Sequence, residues 1–215
     1  MKRLIWFPSA RQVWFDVAAR LDEANIATPV VWLGDDSHLE SAKKRFPNAR
    51  VFSLRFMSRN DRTVPYAPPS SLGAQILANP EWRVFRDQAI KLMNRSDDQG
   101  SLSLLEREAW LAELVLWSCA LIEETAPDVL VTCEPPHSPP MHILHGVAAA
   151  LGVQVLCFVS WPLVPGLMLR DGVGGQTAHH QHYPSTRHLR KMQKRKLTPT
   201  CHNLKSKAML LNLAI

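Results

Sequence analysis

The chain has 215 residues, 46% of them hydrophobic, with 25 Lys/Arg against 19 Asp/Glu and a formal charge of +6. That length suits one domain, or one with a tail, and exceeds the size at which disulfides or a metal must replace a core. Residues 1–171 hold 17 Lys/Arg and all 19 Asp/Glu, net −2, whereas residues 172–215 hold 8 Lys/Arg and no acid, so the basicity describes a C-terminal segment and not the body.

Residues 3–7 form a short apolar run without helical period, ended by Pro8, which suits a strand buried on both faces. Ser9 then stands as the predicted N-cap of a helix whose apolar positions are Val13, Val17, Leu21 and Ala24. The pattern repeats with a strand over 28–33, a turn at Gly34-Asp35-Asp36-Ser37, a short helix over 39–46 and a third strand over 51–56. Residues 58–80, with Pro65, Pro68, Pro69, Gly73 and Pro80, are expected to be a surface loop with at most a helical turn.

Two helices are predicted next, over 81–93 and 101–125, the second opened by a Ser103/Glu106 capping box and faced by Leu105, Ala109, Ala112, Leu116 and Ala120. A fourth strand over 128–133, a helix from Met141 to Leu151 and a fifth strand over 153–159 complete the ordered text. Strands alternating with helices imply an α/β fold, a Rossmann-like doubly wound parallel sheet of about five strands. From Gly172 onward the text is rich in Gly, His, Lys and Arg and poor in apolar period, which predicts a disordered or loosely attached tail. The domain reading is therefore 1–171 for the folded body and 172–215 for the tail.

Cys119, Cys133, Cys157 and Cys201 are too few and too scattered for a disulfide framework or a CxxC metal pair. Three of them sit in apolar runs, as buried reduced thiols do. No run is long enough to span a membrane and the N-terminus lacks a signal-peptide core, so a cytoplasmic setting is expected.

In open α/β sheets, ligands bind beyond the carboxyl ends of the strands. The loop after the first strand has no GxGxxG and the chain has no GxxxxGK[ST], which argues against dinucleotide and P-loop functions and predicts no cofactor. Ser9 and Arg11 at a helix N-terminus remain candidates for holding an anion, or for simple capping and solvation. In Glu134-Pro135-Pro136-His137-Ser138-Pro139-Pro140, four prolines restrict the backbone around a carboxylate, an imidazole and a hydroxyl. Such rigidity serves proton transfer, and equally an ordinary strand-to-helix connection. His142 and His145, three apart and read as lying on a polar face, lack a third ligand, so no metal centre is expected. Trp161 after the last strand could stack on a sugar or cover the core, while Trp6, Trp32 and Trp117 read as core. The tail has neither interleaved aromatics nor a nucleic-acid-binding motif, so no specific nucleic-acid partner is expected.

The stretch from Pro127-Asp128 through Glu134-Pro135-Pro136-His137-Ser138-Pro139, the helix end Ala149-Ala150-Leu151-Gly152-Val153, and Trp161-Pro162-Leu163-Val164-Pro165-Gly166 together resemble the N-terminal half of bacterial capsular or surface polysaccharide biosynthesis proteins, relatives of the GT-B glycosyltransferases. Phe7-Pro8-Ser9-Ala10-Arg11-Gln12 and Trp32-Leu33-Gly34-Asp35 are compatible with it. The resemblance covers residues 1–171, and its motifs lie within 127–171. It implies a glycosyl transfer in a cleft between two Rossmann-like domains, with a nucleotide-sugar donor on the second and a glycan acceptor on this one. On that basis Glu134 and His137 would be catalytic, and Ser9, Arg11, Ser138, Trp161 and Arg170 would line the acceptor side. The resemblance departs after Gly175, where no second Rossmann half follows. The expectation is an N-terminal half whose donor domain is missing or supplied by a partner, with 172–215 a divergent or frame-altered tail. The alternative is a non-catalytic α/β module that binds a small anionic ligand or a protein partner.

Overall fold

The computed structural model describes residues 1–8, 11–53, 64, 70–97 and 100–159, and the backbone of 160 and 167–171. Ser9, Trp161 and the 172–215 tail lie outside the described residues, as does the side chain of Arg170.

Five strands run parallel: β1 (Lys2–Phe7), β2 (Ala27–Gly34), β3 (Arg50–Ser53), β4 (Val129–Thr132) and β5 (Gln154–Ser160). A sixth, β6 (Leu167–Asp171), adds antiparallel to β5, giving the order β3-β2-β1-β4-β5-β6. Six helices connect them: α1 (Gln12–Glu23), α2 (Asp36–Arg45), α3 (Ser71–Ala78), α4 (Arg83–Ser96), α5 (Leu104–Thr125) and α6 (Pro139–Ala150). α1 and α2 cover one face of the sheet, where Trp6, Trp14, Ala18, Leu21, Trp32 and Phe46 pack together. α3 to α6 cover the other, around Ile5, Leu33, Leu114, Leu130 and Leu144. The expected doubly wound α/β architecture is thus present, with one antiparallel strand added at its edge.

Local chemistry explains the departures from the sequence reading. α1 is buried through Trp14, Ala18 and Leu21: Leu21 is buried as its spacing predicts, while Trp14 and Ala18 take the places expected of Val13, which is 55% exposed, and half-buried Val17. Its N-cap position is Arg11, which makes no side-chain capping bond, in place of Ser9. α3 is a full two-turn helix where a loop was expected. Ser70 accepts from the Gly73 N–H at 3.0 Å to cap it, and Ile76 is completely buried against the α5 side of the core. On α5 the capping box is present: Ser103 Oγ accepts from Glu106 N at 3.3 Å, and Glu106 accepts from Ser103 N at 2.7 Å. Of the α5 face read from sequence, Ala120 is buried but Leu105 is 79% exposed; Leu111, Leu114, Val115, Trp117 and Ile122 form most of the buried side, because large apolar side chains remove more surface from water. Pro29 cannot donate to the β1 ladder, and the β1–β2 register shifts immediately after it, between Leu4 and Ile5.

Strand order fixes where a ligand can enter. From β1 the chain winds outward through β2 to β3, then returns to lay β4 on the other flank of β1. Loops leaving β1 and β4 depart to opposite faces and leave a crevice between the carboxyl ends of these two strands.

Candidate functional site

The β4–α6 connection stands at that switch point. Cys133 N–H donates to the Phe7 carbonyl at 3.2 Å, which keeps the ends of β1 and β4 together beyond the last ladder pair, Phe7 with Thr132. The next residues turn out of the sheet. Glu134 is half-buried and His137 exposed, with His137 Nδ1 3.9 Å from Glu134 Oε1. His137 Nδ1 also lies 3.1 Å from the Pro135 carbonyl oxygen. A carbonyl only accepts, so this bond assigns the proton to Nδ1 and leaves the Nε2 lone pair as the imidazole's base.

Two further features seat the loop. Ser138 is the N-cap residue of α6 but makes no side-chain capping bond, and Pro139 and Pro140 occupy the first helical positions, where a missing N–H costs nothing. Arg95, in the last turn of α4, donates from Nη2 to the His137 carbonyl at 2.9 Å. Sequence reading missed Arg95 because its partner lies 42 residues away and only packing of α4 beside α6 brings them together.

Around the same end of the sheet, the β2–α2 turn holds a second polar group. Asp35 accepts from Ser37 N at 3.0 Å to cap α2. His38 lies between Ser37 Oγ at 3.0 Å from Nδ1 and Gln12 Oε1 at 3.1 Å from Nε2, while its ring stacks on Phe15. Ser53 donates to Asp36 at the end of β3. Gln12, the first residue of α1, is thereby tied to α2, which holds the start of α1 beside Arg11.

Of the residues singled out from sequence, Glu134, His137 and Ser138 come together on one loop. Arg11 lies exposed at the N-terminus of α1, across the crevice at the end of β1. The Arg170 backbone is the penultimate position of β6, opposite Cys157, with β5 between it and β4. The 142/145 histidines are not on a polar face: His142 is 4% exposed and His145 completely buried. Burial pulls His142 down to about 4, and burial together with His142 pulls His145 down to about 3.

Chemically the loop offers an imidazole with Nε2 as its base, beside a carboxylate that can balance the charge of a proton taken there. At this exposure the ion pair so formed is worth about 0–1 kcal/mol. Among the described residues no group of three His, Cys, Asp or Glu side chains could hold a metal ion, and no helix is long and apolar enough to cross a membrane. Comparison of the chain with family models, with curated proteins and with solved structures gives no match.

Proposed function

We propose that the chain is a GT-B-like acceptor half of a glycosyltransferase of surface polysaccharide assembly. The observation that carries this reading is the Glu134–His137 pair at 3.9 Å, on a proline-stiffened loop at the β1/β4 switch point. In this reading His137 Nε2 takes the proton of an acceptor hydroxyl as that oxygen attacks the anomeric carbon of a nucleotide sugar and the nucleoside diphosphate leaves with the bonding electrons. Glu134 then balances the imidazolium through Nδ1. Ser9, Arg11, Ser138 and Trp161 would bind the acceptor, and the donor domain would come from a partner or from chain beyond the body.

A second reading, a non-catalytic module for an anionic ligand or a protein, is favoured by one specific contact. The Nδ1 bond to the Pro135 carbonyl is shorter than the approach to Glu134, as in an ordinary loop that ties its histidine to its own backbone. A thermal-shift screen with nucleotide sugars and glycan fragments separates the two. Glycan-dependent stabilisation weakened by His137→Ala and by Glu134→Gln supports the acceptor site. Absence of any sugar shift, or shifts indifferent to both substitutions, refutes it.

A further inference from the structure

α6 carries two imidazoles into the interior, and neither is provided for. His145 is completely buried, and both its ring nitrogens lack a hydrogen-bond partner; Nε2 of His142 is likewise unpartnered. His142 lies flat on Phe85 of α4, with ring centroids 4.5 Å apart and planes 7° apart. The approach is possible because residue 146, one turn further along α6, is glycine: a methyl there would overlap the far edge of the Phe85 ring.

Among the described residues, α6 packs chiefly on α4, α5 and β5. Arg83, Arg86, Asp87, Lys91 and Arg95 of α4 are all exposed. On α5, Glu106, Glu113, Glu123 and Glu124 are exposed, while half-buried Arg107 and Glu108 are bonded to Asp97 and Arg86. Cys119 of α5 is a buried thiol whose pKa is pushed up by burial and by Glu123. β5 contributes only Cys157, whose Sγ faces the Phe158 carbonyl. Glu134 and His137, on the loop before α6, pair with each other. Among the described residues, therefore, no carboxylate stands ready to receive a proton's charge on either buried ring.

α4 grips α6 at two levels, through the Phe85–His142 stack and through the Arg95 bond to the His137 carbonyl. The Glu134–His137 loop runs straight into α6 through Ser138. We infer that α6 is a proton-operated lever: protonation of His142 and His145 drives the helix off α4 and α5 and carries the Glu134–His137 loop out of register with the end of β1. The consequence for activity rests on the reading of that loop as the acceptor site; the lever itself does not.

The sign follows from the burial. The folded form holds both rings neutral down to about 4 and about 3, whereas an opened α6 releases them to the ordinary value of about 6.5. Closure is thus complete above pH 6.5 and weakens as pH falls below it, by about 30-fold for each released histidine at pH 5.

Hydrogen exchange of the full chain at pH 7 and pH 5, corrected for the intrinsic pH dependence, reads the lever without any sugar. Residues 133–150 are expected to exchange at least 10-fold faster at pH 5, with β1 and β2 unchanged, and the His142→Phe/His145→Leu variant is expected to lose that acceleration. Imidazole carbon NMR of the unmutated chain gives a second readout, in which both rings stay neutral at pH 5 in the closed population. Equal exchange of 133–150 at the two pH values, equal acceleration in the variant, or rings that titrate near 6.5 with no opening would each overturn the inference. A failed sugar screen leaves these results untouched, and failure here leaves the sugar screen untouched.

Discussion

Replacing Gly146 with alanine sets two calculable effects against each other. In an exposed helix, alanine for glycine stabilises by about 1 kcal/mol through backbone entropy. At 146 the new methyl would overlap Cε2 and Cζ of Phe85, with Cδ2 3.1 Å away. The ring cannot swing clear, because it is 4% exposed and wedged between Trp82 at 4.4 Å and His142 at 4.5 Å, centroid to centroid. Forcing a methyl into a filled core costs about 1–3 kcal/mol, and confinement on both sides places this case in the upper half of that range. The net expectation is a loss of about 1–2 kcal/mol, lowering Tm by roughly 2–8 °C for a chain of this size.

The assay is urea unfolding with the m-value held as a check on two-state behaviour. A double-mutant cycle with Phe85→Leu isolates the clash, since leucine lacks the two overlapping carbons. In the Phe85→Leu background Gly146→Ala should turn stabilising, with a coupling of about 1–3 kcal/mol. If Gly146→Ala instead raises stability in the unmutated background, or the two substitutions simply add, the close packing of α6 on α4 is wrong.

Two further substitutions probe the elements that seat α4, α5 and β4. Ala126, after α5, adopts φ 39° and ψ 58°, a left-handed conformation that strains a Cβ, so Ala126→Gly should stabilise by about 0.5–1 kcal/mol in urea unfolding. Asp97 accepts from Leu102 N at 2.8 Å, from Ser101 N and Oγ at 3.0 Å each and from Arg107 at 3.2 Å, led by the Leu102 bond, and its carboxyl is held well below the usual carboxylate range. That contribution is complete above the unfolded value of about 3.9 and is lost as pH falls beneath it. Unfolding curves across pH 2–7 should therefore show Asp97→Asn less stable at neutral pH and flatter below pH 4, leaving the loss that starts near pH 6.5 in place.

What could be read in advance followed physical asymmetry in the chain. The parallel strands are short apolar runs bounded by Pro8, Gly34 and Pro127, and such runs admit little but a two-sided buried strand. The Ser103/Glu106 box was legible because both partners lie within one turn. Helix faces were harder. α1 and α5 carry apolar residues around most of their circumference, and only contact with the sheet selects Trp14 over Val13, or Leu111 over Leu105. α3 was obscured by the prolines before it, although Ser70 with Gly73 three residues on was a local capping signal. At the site, the Glu134–His137 pair could be named because proline spacing confines it, while Arg95 and the depth of His142 and His145 depend on how α4 meets α6, which no local pattern encodes.

Buried imidazoles set α6 apart from the other described helices. α1 packs on its face of the sheet through Trp14, Ala18 and Leu21 and α2 through Ala42, while α5 leaves the buried Ser118 hydroxyl without a partner. α6 spends two of its twelve residues on imidazoles that make no bonds through three of their four nitrogens. Each unpartnered buried polar group costs about 1–3 kcal/mol, and leucine at 145 would supply apolar contact without that penalty. α6 is also the helix that begins at the switch-point loop, so the element bearing this local instability is the one whose displacement would reach Glu134 and His137 first.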